Sequence, residues 1–164
     1  MGRKAREIVE KVGVKVDELI EMLKKAYADE WIAFYYYNLL AKLAKGIGST
    51  EIADQIKKIA DEELEHQSEL ADRIIQLGGE PPRRFEDLVK IANCPYVEVP
   101  KNTGDLKAVV RAIIEAEGCA IEAYDKILKW LKDVGPDPVT FHVIRHILQE
   151  EVEHEDLFET ILGE

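Results

Sequence analysis

Four stretches of the chain repeat apolar positions with the 3.6-residue period of a helix that buries one face. The first, about residues 17–45, aligns Leu19, Leu23, Ala26, Ala33, Tyr37 and Ala44, with Asp17 as its expected cap and Gly46 and Gly48 as its stop. The second, about 50–77, opens at Ser49 or Thr50 and aligns Ile52, Ile56, Ala60, Leu70, Ile74 and Leu77. It ends where Gly78-Gly79 and Pro81-Pro82 prevent continuation. The third, about 105–133, aligns Leu106, Val110, Ile113, Ala120, Ile121, Tyr124, Leu128 and Leu131. The fourth, about 138–162, follows Gly135-Pro136-Asp137-Pro138, a break, a cap and a first-turn proline, and turns Val143, Ile144, Ile147, Leu148, Phe158 and Ile161 inward. Residues 1–16 read as a charged arm or a short helix.

Within each pair of helices the connection is only a few residues, so the partners are antiparallel neighbours. Between the pairs, 78–104 has no long helical pattern, only a short one at Phe85, Leu88, Val89 and Ala92. A helix of about 28 residues is roughly 42 Å long, and about 27 extended residues can traverse that distance. The pattern therefore predicts one all-α domain over 1–164, an antiparallel four-helix bundle with a long crossover carrying a short helix.

Polar residues interrupt each apolar stripe. Glu30 falls on the first, Glu63 and His66 on the second, Glu117 on the third, and Glu151 and His154 on the fourth. The order is itself a repeat: E-x-x-A-x-x-x-Y at Glu30, Ala33 and Tyr37 followed by E-x-x-H at Glu63, then the same at Glu117, Ala120, Tyr124 and Glu151. A Glu and a His three apart project from one helix face. One Glu from each of two helices and a Glu-x-x-His from each of the other two form the ligand set of a di-metal site inside a bundle. Unpaired buried carboxylates are costly, and two divalent cations would cancel four of them. Oxygen ligands with one imidazole per metal suit iron or manganese better than structural zinc. Periodicity turns Glu62, Glu65, Glu115, Glu122, His142 and His146 away from the core and leaves Asp29 nearer the edge. Tyr37 and Tyr124, two turns beyond their Glu, read either as donors or redox partners of the site or as core packing.

Composition narrows the function classes. A net charge of -11 argues against nucleic acid or an anionic membrane as the main partner, and the basic run Arg3-Lys4-Arg6 is too short to reverse that. No apolar stretch approaches the length that spans a bilayer, and the N-terminus has no secretory h-region, which predicts a cytoplasmic protein.

On these residues the chain resembles the ferritin superfamily over nearly its whole length. Cys94-Pro95-Tyr96 in the crossover and Glu117-Gly118-Cys119-Ala120 in the third helix make it similar to the Dps-like ferritins also called thioferritins. It departs from haem-binding bacterioferritin, which has Met after the second-helix Glu where this chain has Leu64. A complete six-ligand set within one chain and no Lys-rich tail argue against Dps proper, whose site lies between subunits, and no Cys-x-x-Cys of the kind found in rubrerythrin's rubredoxin domain occurs in these residues. The resemblance implies Glu30 and Glu117 as terminal ligands, Glu63 and Glu151 as bridges, and His66 and His154 on one metal each. It further implies two iron ions, with manganese as the variant, no haem, and a hollow homo-oligomeric cage of twelve subunits. The implied activity is oxidation of Fe(II), preferentially by hydrogen peroxide, with storage of ferric oxide. Two other readings stay open: a di-iron or di-manganese peroxidase, catalase or oxidase without mineral, and a metal-buffering bundle without turnover.

Cys119 lies off the core stripe, on a flank that a crossover carrying Cys94 can cover. A pair close to the di-metal site, structural or redox-active, is favoured over two separate buried thiols. Closing that loop as a disulfide would be worth roughly 3–4 kcal/mol.

Overall fold

The computed structural model describes residues 3–163, all helix and connecting segments, with no strand among them. The order is α1 (Arg3–Lys11), α2 (Val16–Leu43), α3 (Ser49–Gln76), α4 (Phe85–Ile91), α5 (Leu106–Val134) and α6 (Pro138–Leu162). Helix α2 packs chiefly on α3 and α5 on α6, while α4, the short helix of the crossover, lies on α2.

The four long helices enclose two apolar layers. One gathers Leu19, Leu23, Leu70, Ile74, Leu131 and Ile147, with Val9 and Val14 of the N-terminal segment closing its outer end. The other gathers Tyr37, Leu40, Ile56, Ile59, Val109, Ile113 and Phe158. On each helix the polar residues of the stripes fall between the two layers, so the candidate site sits at mid-height, sealed from above and below.

The helix ends differ in part from expectation. Asp137 caps α6 as expected, accepting from the Thr140 N–H at 3.2 Å, and Asp105 caps α5, accepting from the Ala108 N–H at 3.1 Å. Asp17 does not cap α2: it lies inside the first turn and accepts from Arg6 Nη2 at 2.8 Å, because α1 brings that guanidinium over it. At α3 the cap position is Gly48 in the left-handed region, with Ser49 already helical and no side-chain cap bond. Gly135, at φ +146°, lets the α5–α6 turn press on the α1–α2 link; a Cβ there would run into the Val12 carbonyl oxygen.

One buried ion pair ties the end of α3 to the start of α6. Arg73 donates through Nη2 to both Asp137 oxygens at 2.9 and 3.0 Å, and through Nε to Thr140 Oγ1 at 2.7 Å.

Candidate metal centre

At mid-height every long helix turns a polar side chain inward: Glu30 from α2, Glu63 and His66 from α3, Glu117 from α5, and Glu151 and His154 from α6. None is more than 5% exposed. They form two groups of four, Glu30, Glu63, His66 and Glu151, and Glu63, Glu117, Glu151 and His154, each with one ligand atom per residue within 4.8 Å of the others. Glu63 and Glu151 belong to both groups.

Both imidazoles turn Nδ1 inward. His66 Nδ1 lies 3.2 Å from Glu63 and from Glu151 and 3.5 Å from Glu30. His154 Nδ1 lies 3.5 Å from Glu63 and 3.8 Å from Glu117 and from Glu151. The outer nitrogens are held from the opposite hairpin: His66 Nε2 is 2.7 Å from Glu150 of α6, and His154 Nε2 is 2.9 Å from Glu62 of α3. A carboxylate on the outer nitrogen fixes the ring and makes the inner nitrogen a better ligand.

Electrostatics shows what the cluster lacks. Burial, and after it the charges of Glu63 and Glu151, push Glu30 well above the usual carboxylate range; burial and Glu151 do the same to Glu117. Burial also pushes Glu63 and Glu151 up, but the His154 and His66 rings facing them outweigh it and hold both below the ordinary value. Burial pushes the two imidazoles down, yet the surrounding carboxylates raise both. Protons alone thus balance the set as two carboxylates, two imidazolium rings and two carboxylic acids. Two divalent cations would balance it with four carboxylates and two neutral rings.

Hydrogen bonding favours the cations. Glu63 Oε1, both Glu117 oxygens, Glu151 Oε1 and His154 Nδ1 are buried without a hydrogen-bond partner among the described residues. Unpartnered buried polar atoms are expensive, and these converge on one volume. An oxygen-rich set with one imidazole per group fits iron or manganese.

The tyrosines are exchanged between hairpins. Tyr124 of α5 donates to Glu30 of α2, while Tyr37 of α2 is buried beside Glu117 of α5. Each therefore serves the glutamate of the other repeat, not the one two turns before it.

Several placements correct or extend the helical-stripe reading. Asp29 is buried, not at the edge: Asn93 Nδ2 and the Cys94 N–H donate to its oxygens at 2.7 and 2.9 Å. Burial, only partly offset by these bonds, pushes its carboxyl up to about 6. Glu62 is half-buried and bound to His154 where full solvation was expected. Its counterpart Glu150 was not singled out at all. A signal for both existed in the extended repeat, Glu62-Glu63-Leu64-Glu65-His66 against Glu150-Glu151-Val152-Glu153-His154. Glu65 and His142 are exposed, as their periodicity indicates. His146 is partly exposed, 3.7 Å from Glu150. Cys94 and Cys119 are joined by a disulfide with Cα atoms 5.9 Å apart, which fastens the crossover beside Glu117 and over Asp29.

Residues 20–164 match the family model described as the ferritin-like domain. The chain is 35% identical over 157 residues to the DNA protection during starvation protein of Pyrococcus furiosus, covering 96% of this chain and 83% of that one. The chain belongs to the ferritin family. Within it the relatives are Dps-like and bacterioferritin-like. A structure described as a dodecameric thioferritin, the bacterioferritin-related protein of Bacteroides fragilis, superposes with a TM-score of 0.90 at 28% identity, covering 98% of this chain and 93% of that one. The bacterioferritin of Desulfovibrio desulfuricans is 32% identical over 145 residues, covering 88% of this ferritin-like chain and 74% of its own. Among the described residues no helix is long and apolar enough to cross a membrane.

Proposed function

We propose that this chain is the subunit of a Dps-like mini-ferritin that takes Fe(II) as substrate, oxidises it preferentially with hydrogen peroxide, and stores the ferric product in a cage. The observation that carries the reading is the pair of overlapping four-residue groups sharing Glu63 and Glu151. Glu30 and His66 would hold one ion and Glu117 and His154 the other, with Glu63 and Glu151, which belong to both groups, shared between them. Hydrogen peroxide accepts one electron from each of two Fe(II) and, with two protons, leaves as two waters, so no hydroxyl radical is released.

The chain's own contribution is preorganisation. Glu150 and Glu62 fix the imidazoles with Nδ1 inward, Tyr124 orients Glu30, and the apolar layers above and below keep bulk water out. Iron is preferred to manganese because relatives bear the names bacterioferritin and thioferritin. The cage is taken as twelve subunits by analogy with the dodecameric thioferritin. Haem is no part of the reading, since Leu64 stands where haem-binding bacterioferritin has Met, and a leucine side chain offers no atom to ligate iron. The whole of 1–164 acts as one domain, in the cytoplasm, with no nucleic acid as partner.

The test is an anaerobic Fe(II) load well above two ions per chain, followed by peroxide or air in parallel. Expected are rapid peroxide-driven oxidation at about two Fe(II) per peroxide and retention of far more iron than the centre itself can hold. Saturation at the centre with no stored mineral would discard storage.

A further inference from the structure

We propose that the cavity beneath the crossover is the binding site of the oxidant, a neutral peroxide, and that the Tyr36 hydroxyl selects it. This rests on the ferroxidase reading above.

The cavity, about 40 Å³, runs between α2, α5 and the crossover. Its inner end is walled by the carboxylates of the centre, its outer end by Cys94, Pro95 and Tyr96, with Ala33 and Ala116 among its sides. A site holds one water in roughly 10–15 Å³, so there is room for about three to four water-sized groups and none for a fully hydrated cation. The Cys94–Cys119 disulfide ties the outer wall to α5.

Tyr36 lines this cavity, is 2% exposed, and has a hydroxyl without a hydrogen-bond partner among the described residues. Its ring is fixed between Tyr37 and Tyr96, with centroids 5.9 and 5.4 Å away. An unpartnered buried hydroxyl lowers stability, and phenylalanine would fill the same space without that penalty. A guest in the cavity gives the hydroxyl its partner. That guest must be small, must not be an anion, since Asp29 and the four glutamates line the inner end, and must be able both to donate to those carboxylates and to accept from the hydroxyl. Hydrogen peroxide meets all three conditions, whereas dioxygen is a poor hydrogen-bonding partner.

The opposite side of the centre has another character. There Glu62, Glu150 and Glu153 line a second opening beside His154, with Lys58 as its cation. Such a mouth attracts divalent cations.

The experiment compares wild type with Tyr36→Phe, which removes one oxygen atom and no packing. Losing one hydrogen bond to peroxide should raise the KM for peroxide roughly three- to ten-fold. The kcat at saturating peroxide, the air-driven rate and anaerobic Co(II) uptake, followed by absorption, should not change. Metal-free wild-type crystals soaked in peroxide should show elongated density at the Tyr36 hydroxyl, absent from the variant. Ala33→Leu, which narrows the passage, should slow peroxide-driven oxidation while Co(II) uptake persists. An unchanged peroxide KM in Tyr36→Phe together with no density at Tyr36 in wild type overturns the inference while leaving the ferroxidase reading intact. A wild type that binds Co(II) but fails to oxidise Fe(II) with peroxide overturns both.

Discussion

Two polar clusters lie equally deep in this bundle and differ in one respect. Arg73 and Asp137, with side chains 3% and 1% exposed, close a one-to-one ion pair. The guanidinium serves both carboxylate oxygens and Thr140, and Asp137 also caps α6. At mid-height, four carboxylates meet two imidazoles and leave five atoms without partners among the described residues, on Glu63, Glu117, Glu151 and His154. Depth is common to both clusters, so depth alone marks neither as functional. Imbalance does: a set that the protein cannot complete calls for something that is not protein.

The largest expected effect comes from removing the shared charges. Glu63→Gln with Glu151→Gln should abolish Fe(II) oxidation in stopped-flow assays, yet leave the metal-free Tm close to wild type, because Glu30 and Glu117, protonated in the metal-free wild type, can ionise in their place opposite the two imidazolium rings. A marked fall in metal-free Tm would mean that the centre, like the Arg73 pair, is a structural device.

Arg73→Met attacks the other cluster. It strands a buried carboxylate and should cost about 3–5 kcal/mol in denaturant unfolding, with or without metal. Adding Asp137→Ser removes the stranded charge but keeps a cap, so most of that loss should return.

Cation binding separates the clusters further. A divalent cation at about a hundred times its Kd should stabilise wild type by about 2.7 kcal/mol for each ion bound. The gain should vanish with chelator and in the double Gln variant, and survive in Arg73→Met. Because cations replace protons in the centre, uptake should release about four protons per two cations in an unbuffered titration.

The smallest effect is that of Tyr124→Phe. It takes one donor from Glu30 and should cost about 1 kcal/mol in the metal-free protein. Metal should reduce that difference, since the freed oxygen can then face a cation; an undiminished loss would place Tyr124 with the packing alone.

The six residues of the centre were legible because a charged residue on an apolar stripe stands out against its own helix. Glu117 could be separated from Glu115 and Glu122 by angle alone, and the duplicated E-x-x-H made chance an inadequate explanation. Asp29 and Tyr36 were not legible, since what buries them is the crossover, and a stripe registers only the face a helix turns to its main partners. Arg73 was missed for a related reason: it is a long cation on a core face, and only the approach of Asp137 from α6 makes that position tolerable.

The sequence by itself determined the four long helices, the crossover with its short helix, and which side chains would face a common axis. These follow from local periodicity and chain reach, which any short window of residues contains. Tertiary structure alone decided that Glu62 backs His154 and Glu150 backs His66, and that each tyrosine serves the glutamate of the opposite hairpin. Those pairings depend on how four helices are set against one another in height and rotation. That is a property of packed side chains, and no helix carries it alone.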